Sequence, residues 1–259
     1  MRIILLFVAI MLFSTAQINA ADMTAGQIVA KSWELYRQVS DEKEIFEIEV
    51  TQSNGRREEK TFTRWTKYDA GKSEDKITVK FSKPAMDEGL GLLTWRHPDR
   101  SDDQWLKLPS LDRVRRISVS DQDKYFAGTD LTYEDTRQLV GERLKDFDYR
   151  LLKKEGEQWI IEALPKAGTE TGYSKRIFRI DGRFAFIKIE YYAKDGKHLK
   201  TQTNSQLVYE KNGLWRTGLI LLNNHLLNRK TSIKTVDRKL NNGFSSDYFS
   251  QKFLESRQK

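Results

Sequence analysis

Hydrophobic residues alternate with polar ones along much of the chain, and this two-residue period predicts β-strands. Each alternating run has one apolar face and one wet face, which is typical of antiparallel sheets that cover a core on one side. The clearest runs are Phe46, Ile48 and Val50; Ile77, Val79 and Phe81; and Ile187, Ile189 and Tyr191. These residues are expected to form the apolar face of a sheet.

Short turn sequences separate the alternating runs and supply the positive φ angles that tight hairpins need. The strongest are Asn54-Gly55, Asp181-Gly182, Asp195-Gly196 and Asn212-Gly213. From Phe147 to Leu240 the pattern alternates strand and turn without a convincing helix, so it predicts a meander. Because the chain has only four prolines and no low-complexity block, residues 21–259 are expected to form a single domain.

Three segments favour helices. Residues 24–39 place Thr24 as a candidate N-cap before apolar residues at helical spacing, and shorter helices are expected near residues 132–140 and from Asp247 to Leu254. A large antiparallel sheet must also cover its apolar face. The sequence therefore predicts a mainly β protein: a large curled antiparallel sheet, or half-barrel, with two or three helices closing its concave face.

The first twenty residues have the pattern of a secretory signal peptide. Arg2 precedes an apolar run from Ile3 to Phe13, and small residues follow, so cleavage is expected after Ala20 or Ala21. The run is short for a membrane span, and a retained anchor is the alternative. Because the chain has no cysteine for lipid attachment or disulfides, we expect a soluble periplasmic protein that is not lipid-anchored.

The chain has a net charge of +8, which becomes +7 if Arg2 is removed with the signal peptide. Residues 194–239 contain ten basic and three acidic residues, so the excess is concentrated there. Export argues against nucleic acid as a partner, and leaves an anionic membrane surface or an acidic protein. We predict that Lys230, Lys234 and Arg238 belong to a basic docking face. The alternative is that these charges only keep the sheet soluble.

Two stretches, DQWLKLPSLDRVRRIS and YFAGTDLTYED, bring arginines and carboxylates close together in sequence. Carboxylates in such a setting can serve acid–base catalysis or metal binding. The remaining parts of such sites are missing, because the three histidines are far apart and no cysteine, nucleophile-elbow serine or phosphate-binding loop occurs. The sequence therefore predicts no catalytic residue, no metal site and no cofactor.

Helix-capping chemistry explains most of the acidic stretch. Thr132 and Asp135 have the spacing of a capping box, with Asp at a position usually taken by Glu or Gln. Together with Asp130 they are expected to form a structural buckle, and losing its cap would cost about 0.5–2 kcal/mol. Arg115 and Arg116 either lie on the wet face of a strand or reach Asp130 or Asp135 in a forked salt bridge.

This middle third of the chain resembles the periplasmic outer-membrane lipoprotein-sorting family of the LolA-like superfamily. The segments KPAMDEGLGLLTW, DQWLKLPSLDRVRRIS and FAGTDLTYED are similar to the family in order and spacing. The matches to its Trp-Leu-Tyr-Leu-Pro and Arg-Arg-Ile pattern are Trp105, Leu106, Leu108, Pro109, Arg115, Arg116 and Ile117. Lys107 stands where a tyrosine is more usual, and the family's Gly-Ser-Asp-aromatic element becomes Gly128, Thr129, Asp130 and Leu131.

The resemblance implies a half-barrel around an apolar cavity that holds acyl chains. It also implies a periplasmic carrier or chaperone for lipid or acylated protein, working between the membranes or with a lipid exporter of the resistance-nodulation-division type. The candidate cavity residues are Phe46, Ile48, Val50, Ile77, Val79, Phe81, Leu93, Trp95, Ile187, Ile189 and Tyr191. Two alternatives stay open: a non-carrier adaptor that docks on an envelope exporter complex, and a hydrolase or transferase using Asp130, Glu134 or Asp135.

Overall fold

The computed structural model describes residues 23–70, 74–111 and 113–256, so the predicted signal peptide (residues 1–20) and its cleavage site lie outside the described residues. A 13-stranded antiparallel sheet dominates the fold. Its strands are β1 (Asp41–Thr51), β2 (Arg57–Lys67), β3 (Lys76–Lys83), β4 (Gly91–Trp95), β5 (Asp103–Lys107), β6 (Val114–Arg116), β7 (Phe147–Glu155), β8 (Gln158–Pro165), β9 (Tyr173–Ile180), β10 (Phe186–Ala193), β11 (His198–Ser205), β14 (Leu219–Asn224) and β15 (Arg229–Leu240). A separate hairpin contains β12 (Val208–Tyr209) and β13 (Trp215–Arg216).

The described residues also include helices α1 (Ala25–Tyr36), α2 (Tyr133–Gln138) and α3 (Gln251–Glu255). Short 3-10 helices cover Ala85–Asp87, Val119–Asp121, Leu144–Asp146 and Ser246–Phe249. Within this part of the chain, no helix combines the length and the hydropathy needed to cross a bilayer.

The strands follow the spatial order β6-β5-β4-β3-β2-β1-β15-β14-β11-β10-β9-β8-β7. Strands that follow one another in the chain pair within each half, except that β11 pairs with β14 because β12 and β13 form the separate hairpin. Strand β1 joins the halves by pairing with β15 from Glu42 opposite Leu240 to Thr51 opposite Lys230. The predicted fold class, mainly β with one large antiparallel sheet, is confirmed. So is the meander between residues 147 and 240.

The sheet curls around its own apolar face. Strands β3 and β9 are seven positions apart in the sheet, which would place them about 34 Å apart if the sheet were flat. Nevertheless Phe81 of β3 and Phe178 of β9 line one cavity. The sheet therefore has a concave face toward this cavity and a convex face on its other side.

Helix α1 lies on the concave side. Thr24 and Gln27 form a capping box at its start, so the predicted N-cap is confirmed, and Ile28 lies on its buried face. The indole Nε1 of Trp215 donates to the carbonyl oxygen of Ser32 at 3.0 Å. This bond ties α1 to the β12–β13 hairpin and fixes the helix over the cavity.

Helix α2 starts with the capping box that the sequence predicted. Thr132 Oγ1 accepts from the backbone N–H of Asp135 at 3.1 Å, and Asp135 Oδ2 accepts from the backbone N–H of Thr132 at 2.7 Å. Thr136, in the same helix, lines the cavity. Two of the three helices therefore lie on the concave side.

Helix α3 packs on the convex face, so two of the expected two or three helices, α1 and α2, lie on the concave one. Leu254 of α3 and Phe249 form a buried cluster with Trp65 and Leu93, and Trp95 packs against it. The convex side of β2 and β4 is thus apolar as well. Leu93 and Trp95, which we predicted in the cavity wall, belong to this second cluster. Strand alternation predicts two faces but does not say which apolar face is the concave one.

Candidate functional site

The concave face encloses a cavity of about 70 Å³, counted as the space open to the centre of a water molecule. One water needs about 10–15 Å³ on that scale, so the cavity has room for a few waters or a slender apolar group. Ten aromatic side chains contribute to its wall: Trp33, Tyr36, Phe46, Phe62, Phe81, Phe126, Phe178, Phe186, Tyr191 and Trp215. Neighbouring rings touch, with 4.8 Å between the centroids of Phe46 and Phe62. Such a wall suits an apolar ligand.

Six predicted residues line this cavity: Phe46, Ile48, Val79, Phe81, Ile189 and Tyr191. Val50 and Ile77 are buried in the surrounding core without lining it. Ile187 is placed elsewhere because the pairing of β10 with β9 shifts between Phe186 and Lys188. The shift brings Phe186 to the cavity in its place. That any of these residues contacts a ligand stays a prediction.

An open groove of about 780 Å³ lies outside the cavity. It is bounded by α1, by residues 68–70 and by residues 142–145. Trp33 and Glu142 line both spaces, so their side chains stand between the groove and the cavity. The Trp33 Nε1 is buried without a hydrogen-bond partner among the described residues. A ligand arriving from the groove would meet these two side chains first.

Five charged residues, which we call the arginine cluster, lie at the cavity wall and behind it: the buried Glu42, Glu44, Arg64 and Arg216, and the partly buried Arg238. Arg64 binds Glu44 and lies 3.5 Å from Glu42. Arg238 Nε donates to Glu44 at 2.7 Å, and Arg216 Nε donates to Glu42 at 2.9 Å. Burial alone would raise the pKa of Glu44, but the three guanidinium groups outweigh it and lower that pKa to about 2.

Sequence reasoning missed the arginine cluster, although β1 carries a signal of it. Glu42 and Glu44 have the same parity as Phe46 and Ile48, so they share the apolar face of the strand. Charged residues on a buried face require partners. Glu42 and Glu44 therefore predict buried cations on neighbouring elements, but the sequence pattern of β1 does not identify the arginines that supply them.

Glu142 and Arg176 form a second buried ion pair in the cavity wall, with 2.7 Å between Arg176 Nη2 and Glu142 Oε2. Tyr149 donates its hydroxyl hydrogen to Glu142. Burial, followed by the charge of Glu142, raises the pKa of Tyr149, so the phenol stays protonated. This pair balances its own charge, whereas the arginine cluster has three cations and two carboxylates.

Asp130 has a different partner from the one we expected. It is fully buried, and its carboxylate accepts from Arg229 Nε at 2.9 Å, Asn224 Nδ2 at 3.0 Å and Thr231 Oγ1 at 2.7 Å. These three residues follow Asp130 by more than 90 positions, so local spacing could not reveal them. The buckle is held by the β14–β15 hairpin.

Asp135 pairs with the buried Lys200 of β11 and accepts from Tyr173 at 2.7 Å. Arg115 and Arg116 are exposed on β6, and Arg116 binds Asp103. The predicted salt bridge from these arginines to Asp130 or Asp135 is therefore wrong. Both arginines lie on the solvent-exposed surface of a strand, as the alternative interpretation predicted.

The predicted basic face is also corrected. Lys230 and Lys234 are exposed on β15, but Arg238 turns to the concave side and binds Glu44. The cause is a register shift in which Phe46 pairs with Thr235 and Ile45 pairs with Asp237, leaving one extra residue in β15. Such a bulge reverses which side chains point inward.

Lys200, Arg216 and Arg229 are likewise paired with buried acids on the concave side. Much of the positive excess in residues 194–239 is therefore not on the surface. Within residues 23–70, 74–111 and 113–256, no group of three His, Cys, Asp or Glu side chains is arranged to hold a metal ion.

The fold is a single curled antiparallel sheet with helices and an apolar cavity on its concave side. Three solved structures share this fold. An outer-membrane lipoprotein-sorting protein domain from Vibrio parahaemolyticus is 24% identical, with a TM-score of 0.82 over 90% of this chain and 98% of that one. A DUF1329 family protein from Desulfovibrio piger is 23% identical, with a TM-score of 0.82 over 89% and 97%. A LolA superfamily protein from Nitrosomonas europaea is 17% identical, with a TM-score of 0.69 over 89% and 99%.

At the level of the fold, these structures confirm the resemblance that the middle third of the sequence indicated. A family described as "Uncharacterized protein" matches residues 73–256, and the chain belongs to it. No curated protein matches the sequence significantly.

Proposed function

We propose that this protein is a periplasmic carrier that holds a lipid or acylated protein by its acyl chain and catalyses no reaction. The observation that supports it is the aromatic cavity on the concave face of a LolA-like sheet. Each buried methylene of a chain contributes about 0.8 kcal/mol, so such a wall can hold cargo without polar chemistry. Mass spectrometry of lipid extracted from protein purified out of its native periplasm tests the proposal. Absence of lipid, together with no binding of fluorescent fatty acids, would contradict it.

Bulk added inside the cavity is expected to weaken fatty-acid binding. Ile189→Phe enlarges a lining side chain, and we expect at least a tenfold loss of affinity because the cavity is already small. The matched control is Leu221→Phe at an exposed position of β14, which should bind as the parent does. Fluorescence titration gives the affinities, and thermal unfolding shows that both variants are folded. Unchanged affinity in a folded Ile189→Phe variant would place the acyl chain outside the cavity.

A non-carrier adaptor is the second candidate, and the small cavity favours it. In that case Trp33 and Phe46 belong to a solid core, and the protein acts by docking on an envelope exporter. Crosslinking from surface positions would then capture a protein while extraction yields no lipid. A carrier gives lipid in the extract.

We also propose transient docking to an anionic membrane through Lys230 and Lys234. Each basic residue near such a surface contributes about 1 kcal/mol, so the double reversal to glutamate should weaken vesicle binding by at least about thirtyfold at low salt. Cosedimentation with phosphatidylglycerol vesicles measures this. The control reverses Lys153 and Lys154, which are exposed on the edge strand β7. If the Lys230 and Lys234 reversal binds vesicles as well as the Lys153 and Lys154 reversal does, Lys230 and Lys234 are only solvated surface charges.

A further inference from the structure

The arginine cluster carries more positive than negative charge. Three guanidinium groups face two carboxylates, and the side chains of Arg64, Arg216 and Arg238 are 6%, 4% and 18% exposed. The glutamate side chains are at most 1% exposed. The nearby phenol of Tyr36 does not supply a negative charge, because burial raises its pKa. The cluster therefore holds one uncompensated cation among side chains that are largely shielded from water, an arrangement that is costly without an anion.

The cluster also has hydrogen-bond donors to spare. Arg216 Nη2 is buried and has no hydrogen-bond partner among the described residues. Arg64 uses Nε and Nη2 toward Glu44, Tyr36 and Glu42. Arg238 uses Nε toward Glu44, and Nη2 toward the carbonyl oxygen of Thr217 and the hydroxyl of Thr235. Within the described part of the chain, neither Nη1 has an acceptor.

Arg64 and Arg238 line the same cavity as the aromatic wall. The Arg64 guanidinium carbon lies 5.2 Å from the centre of the Phe46 ring, and Phe46 in turn stacks on Phe62. Charge and apolar surface thus meet inside one enclosed space. An arginine offers planar donors that match carboxylate and phosphate oxygens.

We propose that the ligand of this cavity is an anionic amphiphile, whose carboxylate or phosphate group binds between Arg64 and Arg238 while its alkyl chain lies along Phe46 and Phe62. This inference rests on the proposed carrier function and narrows its cargo. A neutral acyl chain would leave the excess charge of the cluster unbalanced. An anionic head group offsets that charge and accepts the free N–H groups.

Three probes with the same twelve-carbon chain test the head group: dodecanoate, dodecyl phosphate and 1-dodecanol. Calorimetric titration at pH 8 keeps the first two ionised. We expect both anions to bind at least tenfold more tightly than the alcohol. The tighter of the two anions distinguishes a fatty acid from a phosphate-bearing lipid.

Arg238→Gln tests the residue, because Arg238 is the most exposed of the three arginines and Arg64 still pairs Glu44 in the variant. We expect the preference for anions over the alcohol to fall at least fivefold. Arg116→Gln, at an exposed arginine on β6, is the matched control and should keep the full preference. Thermal unfolding shows whether each variant is folded. If Arg238→Gln does not fold, the preference of the parent for anions over the alcohol still tests whether the ligand has an anionic head group.

Failure of the head-group proposal and failure of the carrier function give different results in these experiments. If all three probes bind the parent equally, the anionic head group is wrong and the carrier function stands. If none of them binds, the carrier function itself is contradicted. If anions are preferred but Arg238→Gln keeps the full preference, the head group is bound elsewhere and the assignment to the arginine cluster is overturned.

Discussion

Asp130→Ala is expected to lower the free energy of unfolding by about 3–5 kcal/mol, because it removes one partner of a buried ion pair. Arg229, whose side chain is only 13% exposed, would lose its carboxylate. Asn224 and Thr231 would lose an acceptor in the same step. Urea unfolding measures the change.

Asp121→Ala is the matched control. Asp121 pairs with Lys124 at the surface, where the side chains are 31% and 67% exposed, so its loss should cost much less stability than the loss of Asp130. If Asp130→Ala costs no more stability than this control, Arg229 must find another partner or reach water, and the buckle contributes little to stability.

The stability loss expected for Asp130→Ala, about 3–5 kcal/mol, exceeds the loss of about 0.5–2 kcal/mol that the sequence predicted for a missing helix cap. The capping box of Thr132 and Asp135 could be predicted because its residues are three positions apart. The partners of Asp130 come from the β14–β15 hairpin, and only the paired sheet brings them to α2. Local spacing thus predicts a cap but not a buried ion pair between distant elements.

The fold itself was largely predictable, since alternation and turn sequences are repeated along most of the chain. What alternation could not predict is where it is interrupted. One extra residue in β15 turns Arg238 from the expected surface to the cavity, and a shift in β10 exchanges Phe186 for Ile187. Bulges of this kind depend on pairing between strands, which a single strand's sequence does not record.

The two faces of the sheet also look alike in sequence. Leu92 and Leu93 are adjacent and both are buried, yet Leu92 belongs to the concave core and Leu93 to the cluster under α3. Choosing between them requires knowing that a C-terminal helix covers the convex side. The short amphipathic pattern of α3 predicts a helix without identifying the face on which it packs.

Acid is expected to destabilise the protein partly through Glu44. Its pKa is lowered from 4.5 to about 2 in the folded state, so the unfolded chain binds more protons at pH values between these limits. Stability from this group is therefore present above about pH 4.5 and is lost as the pH falls toward 2. The whole shift corresponds to about 3 kcal/mol, of which about 2 kcal/mol should be lost between pH 6 and pH 3.

Glu44→Gln isolates this contribution, although the substitution is itself destabilising because it leaves Arg64 and Arg238 without that carboxylate. The diagnostic quantity is the difference in unfolding free energy between parent and variant, measured by urea unfolding at several pH values. This difference should shrink by about 2 kcal/mol from pH 6 to pH 3, since the unfolded parent takes up a proton at Glu44 that the folded parent does not, and glutamine takes up none in either state. Glu59→Gln, at an exposed position of β2, should leave the pH dependence unchanged. A constant difference for Glu44→Gln would mean that the three arginines do not lower the pKa of Glu44 in the folded protein.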